Sequence, residues 1–155
     1  MENGNYQKDF KPFLIWLIVF MIGMNGFPMF VKMFPSMTSM MQTKLSIFLL
    51  LIALLILYYI VYRGEYIYYL PGGPTFREAE RAGSEKRKAY GKKCFMLMVR
   101  ASVLIVLFMV ISLFFSLAGL YDWIVAGACI VSVVVAGSKE KVAFLSEEGQ
   151  ETDAE

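Results

Sequence analysis

Histidine is absent from the 155 residues, which removes the commonest general base and the commonest metal ligand together. Cysteine occurs only twice, at Cys94 and Cys129, and neither belongs to a CxxC pair. A thiol–disulfide relay, a quinone-linked oxidoreductase and a zinc site therefore lack support, and isolated thiols in apolar stretches behave as small hydrophobes. Charge is scarce as well, at 18% of residues against about 25% in an ordinary soluble domain. GxSxG, HExxH and a phosphate-cradling glycine loop are all missing, since Gly72-Gly73 between Pro71 and Pro74 is turn chemistry. These absences predict no catalytic residue, no cofactor, no metal and no enzymatic activity.

What is present is apolar surface, 58% of residues, more than a water-soluble fold can hide. A run of about 18 or more apolar residues can cross the hydrocarbon layer as a helix. Four stretches qualify, at about 13–31, 45–62, 94–118 and 120–137. The expected fold is an all-α, four-helix transmembrane bundle making one domain over 1–155. No small-residue cleavage site follows the first stretch, so it reads as an uncleaved span. Asn25 and Pro28 interrupt it, and a proline must free a carbonyl one turn earlier, which predicts a kink at a polar intramembrane position. The second span lies between Lys44 and Arg63 and carries no charge. In the third, Arg100 is expected to snorkel toward the headgroups. The fourth opens with Tyr121, Asp122 and Trp123, read as an interfacial turn. Along it Ala128, Ser132 and Ala136 recur every four residues and mark an expected helix-packing face.

The loop at 63–93 holds Arg63, Arg77, Arg81, Lys86, Arg87, Lys88, Lys92 and Lys93, whereas Lys32 and Lys44 alone lie between the first two spans. The positive-inside rule then makes this loop and both termini cytoplasmic. Within it, Thr75-Phe76-Arg77-Glu78 is a capping-box pattern that predicts a short helix from Thr75 to about Ala82. Ser84 is expected to cap a second helix that runs into span three. Arg77, Arg81, Lys86, Arg87, Lys88, Lys92 and Lys93 are the candidate contacts for anionic lipid headgroups or a protein partner, and nucleic acid is not expected. Six tyrosines from Tyr58 to Tyr69 read as an interfacial belt. The acidic tail at 142–155 is expected to be disordered.

Met21, Met24, Met29, Met33, Met37, Met40 and Met41 offer thioethers that suit Cu(I), yet the same residues serve as adaptable apolar side chains, and no Cys or His reinforces them. Proton-coupled export of the small four-helix type needs a membrane-embedded carboxylate, and the spans carry none away from an interface. The functional expectation is a non-enzymatic accessory, regulatory or immunity-type subunit in a bacterial plasma membrane. It would act through helix packing and the basic loop, on another membrane protein or on itself. The alternative is a small oligomeric channel or transporter built around Asn25 and Pro28.

Overall fold

The computed structural model describes residues 8–34, 36–115 and 117–152, with residues 145–152 followed only as helix. Among them the chain forms α1 (Lys11–Lys32), α2 (Ser39–Gly64), a 3-10 turn (Ile67–Tyr69), α3 (Phe76–Arg81), α4 (Gly83–Phe114) and α5 (Gly119–Thr152). Four of these helices are long and apolar enough to cross a membrane. In that setting a helix satisfies its own backbone groups, which lipid cannot do.

Local chemistry sets most of the ends. Pro12 sits in the first turn of α1, where its missing N–H costs nothing. Thr38 caps α2 by accepting from the Met41 amide at 3.4 Å. The other end of α2 closes on Glu65 in the left-handed region, φ 60°, a conformation that glycine adopts more cheaply. The capping box forms as expected: Thr75 accepts from the Glu78 amide, and the Glu78 carboxylate accepts from the Thr75 amide. The expected Ser84 cap does not form. Helix α4 instead begins at Gly83, with no side-chain cap, and the Ser84 hydroxyl donates to Glu65 at 2.7 Å. From Gly83 α4 runs unbroken to Phe114, 32 residues, so the wet helix and the third span are one element of about 48 Å. That span stops at Phe114 rather than 118.

Helix α4 is the central element. Among its buried positions, Arg87, Gly91, Cys94, Met98, Ala101, Ile105, Met109 and Ser112 follow one another at steps of three or four, the spacing of a coiled-coil seam. Ile47, Leu51 and Val61 of α2, and Ala126 and Val133 of α5, complete the core. Small residues let backbones approach: a Cβ on Gly91 would lie 3.2 Å from the Tyr62 Cα. Both cysteines are free thiols and join this core, Cys94 within it and Cys129 at its edge.

Two expectations about the fourth span are corrected. Its packing face is Asp122, Ala126, Val133 and Gly137, while Ala128 and Ser132 are exposed and Ala136 is half-buried. The small-residue stripe therefore does not pack within this chain. Likewise α5 continues as helix to Thr152, so the tail expected to be disordered from 142 is helical that far. The side chains of Glu147, Glu148 and Glu151, with Asp153 and Glu155, lie outside the described residues.

Helix α1 stands apart from the other spans. It buries no residue and packs against α2, chiefly at its first turns. The Trp16 indole donates to the Ala53 carbonyl at 2.9 Å, and Phe13 stacks on Tyr69 with ring centres 5.1 Å apart. Tyr68 and Tyr69 both donate to the Asp9 carbonyl, so these tyrosines anchor the start of α1. Beyond them, an apolar trough of about 520 Å³ separates α1 from α2, lined by Trp16, Phe20, Met24, Leu49 and Ile56 among others.

Candidate functional site

Three polar arrangements stand out against the apolar bundle, two of them ionic clasps at opposite ends of the α2–α4–α5 core. At the end away from the basic loop, Lys44 of α2 meets Asp122 of α5 with Nζ 2.7 Å from Oδ2. Lys44 also donates to the Ser112 hydroxyl of α4, whose own proton faces Asp122 Oδ1 at 2.7 Å. Asp122 and Ser112 are fully buried and Lys44 is 6% exposed. Every buried charge thus has its partner, as it must where water is excluded. Asp122 also sits in the first turn of α5, where the helix dipole favours an anion.

Neither charge was expected to do this. Lys44 read as a flanking cation and Asp122 as an interfacial turn residue, but the structure buries both in one three-helix clasp. The available signal was complementarity: single charges of opposite sign open spans two and four, and Ser112 lies near the end of span three.

The second clasp folds the basic loop onto the bundle. Glu65 accepts from Ser84, from Arg87 Nε at 2.8 Å and from Lys88 at 3.3 Å. Partial burial works against its charge, but Ser84, Arg87 and Lys88 outweigh it and hold the carboxyl below its ordinary range. Arg87 Nη1 continues to the Ala79 carbonyl of α3 at 3.1 Å. Lys141 reaches Glu78 at 3.4 Å, and the Thr75 amide leads the contacts that hold the Glu78 carboxyl low. Lys93 pairs with Glu140 at 2.9 Å, and the Tyr90 hydroxyl donates to the Gly137 carbonyl at 3.0 Å.

The candidate contact residues therefore divide. Arg87 is 8% exposed and structural, which corrects its placement among lipid or partner contacts. Arg77, Arg81, Lys88, Lys92 and Lys93 are exposed and Lys86 is half-buried.

The third arrangement is a recess of about 320 Å³ on the outside of α4, lined by Lys92, Lys93, Met96, Leu97, Arg100 and Glu140. Arg100 is exposed there and does not face the bundle interior.

Asn25 does not enter the core either. It is exposed on α1, and its amide donates to the Met21 carbonyl of its own helix at 2.7 Å. The helix runs through Pro28 as one element. Beside Pro28, Lys32, Ser39, Gln42, Thr43 and Ser46 help to line a second gap of about 670 Å³ between α1 and α2. Met21, Met24, Met29, Met33 and Met41 are exposed. Among the described residues no group of three or more Cys, Asp or Glu is placed to hold a metal.

Neither a protein-family model, nor a curated protein, nor a solved structure matches this chain.

Proposed function

We propose that the protein is a non-enzymatic accessory or regulatory subunit of a membrane complex, docking through its first span. The observation that carries this reading is the contrast between the helices. Ionic clasps and a heptad-like seam bind α2, α4 and α5 to one another, whereas α1 buries nothing and is held mainly at its start. In lipid the hydrophobic effect does not press helices together, and packing has to do so. A helix with this little packing inside its own chain is suited to packing against another. The lysine and arginine content of the loop supports a cytoplasmic placement of the loop and both termini. The composition and compact connections fit a bacterial plasma membrane.

The test is a crosslinking pull-down of the tagged chain from native membranes, run beside a variant with Ile15, Ile22 and Met29 changed to alanine. One stoichiometric membrane partner is expected with the native chain and should be lost with the variant. A partner retained equally by both, or a clean monomer, would overturn docking by α1.

The polar gap beside Pro28 favours a second reading, a pore formed between copies. Because Asn25 faces away from the core, such a path requires several chains. Self-association alone in the pull-down, with solute flux in liposomes that Asn25→Leu abolishes, is the result this reading requires.

A further inference from the structure

The recess on α4 holds an arginine whose position is costly without an anion. Arg100 lies six residues past Cys94, inside the apolar run, and among the described residues no hydrogen bond or ion pair is made by its guanidinium. A charge facing hydrocarbon is expensive and is relieved by reaching the headgroup layer. Lys92, Met96 and Arg100 follow one another at intervals of four, so they share a face of α4. Helical side chains lean toward the N-terminus of their helix, which here is the end bearing the lysines. Arg100 therefore leans toward Lys92 and Lys93, and all three line one recess.

The remaining charge in that recess is Glu140, and Lys93 neutralises it at 2.9 Å. Among the described residues, no carboxylate pairs with Lys92 or Arg100. Below them Leu104 and Leu107 are exposed on α4, continuing the recess into an apolar surface of acyl-chain character.

We propose that this recess is a binding site for one anionic phospholipid, whose phosphodiester lies between Arg100 and Lys92 while an acyl chain follows α4. The combination of a two-cation headgroup site with an apolar path beneath it favours a lipid over a free anion or an acidic protein segment. The site is independent of docking by α1, so either can fail without the other.

The experiment is native mass spectrometry of the full chain released from nanodiscs of equal phosphatidylglycerol and phosphatidylcholine. One retained phosphatidylglycerol is expected, preferred several-fold over phosphatidylcholine. Arg100→Gln should erase the preference and Arg100→Lys should keep most of it. Arg63→Gln, exposed at the end of α2 and outside the recess, should leave it unchanged. Equal retention of the two lipids by the native chain would overturn the proposal without any variant. So would equal losses from Arg100→Gln and Arg63→Gln, which would mean diffuse attraction to the surface. Displacement of the retained lipid by millimolar inorganic phosphate would assign the recess to a free anion instead.

Discussion

Removing one member of a buried ion pair leaves the other charge without a partner, and this makes Lys44 and Asp122 the most sensitive pair in the chain. Lys44→Met or Asp122→Leu alone should cost about 3–5 kcal/mol. The double change should cost much less, because it removes both charges and keeps apolar volume. Unfolding by detergent titration measures this, and additive losses in the double variant would contradict the clasp. The pairing was not legible in the sequence because its partners stand 78 positions apart. Each charge taken alone looks like an ordinary span boundary. Glu65 carries a second residue-level prediction. Its carboxyl is held below the ordinary value of 4.5, so the stabilisation it gives is present above that value and is lost as pH falls through the lower folded value. Amide protection across residues 65–88, relative to the intrinsic exchange rate at each pH, should fall over that acidic window, and Glu65→Gln should show the reduced protection already at neutral pH. Unchanged exchange in the variant would mean that Arg87 and Lys88 do not depend on Glu65.

At the scale of elements, the positions of the spans were readable and their packing faces were not. The physical reason is the solvent. In water, apolar periodicity reports which side of a helix is buried; in lipid, both sides are apolar and the signal vanishes. The windows that mark the spans are only 0–33% buried. Ala128, Ser132 and Ala136 therefore looked like a packing face by size alone, while the working seam on α5 mixes Asp122, Ala126, Val133 and Gly137. Backbone-level signals survived better, because Thr75 and Glu78 need only each other to cap α3. In the tail, acidity and low hydropathy suggest disorder, whereas α5 continues as helix to Thr152. Glu, Ala and Lys are also strong helix formers, and a helix already nucleated inside the membrane extends at little cost. The seam itself is testable: Ala101→Leu should destabilise by about 1–3 kcal/mol through overpacking, whereas Ala128→Leu should stay within about 0.5 kcal/mol. Equal effects in the same detergent titration would contradict the assignment of faces.

The whole molecule is a clasped three-helix core with a fourth span leaning on it. Positive charge at the loop end does several jobs at once. Arg87 and Lys88 close the loop onto Glu65, Lys93 and Lys141 tie the ends of α4 and α5 to their neighbours, and Lys92 and Arg100 remain for the headgroup layer. A count of basic residues could not separate these roles, since the separation depends on which carboxylates the fold brings near. The candidate site was thus half visible: the loop was identified, but the division of its cations and the opposite clasp required the assembled helices. Docking through α1 is tested most directly by placing a photocrosslinking amino acid at Ile22 on α1, and at Val110 on the outer face of α4, then irradiating native membranes. A discrete adduct with one other membrane protein from Ile22, and none from Val110, is the predicted result; adducts with lipid alone from both positions would contradict it.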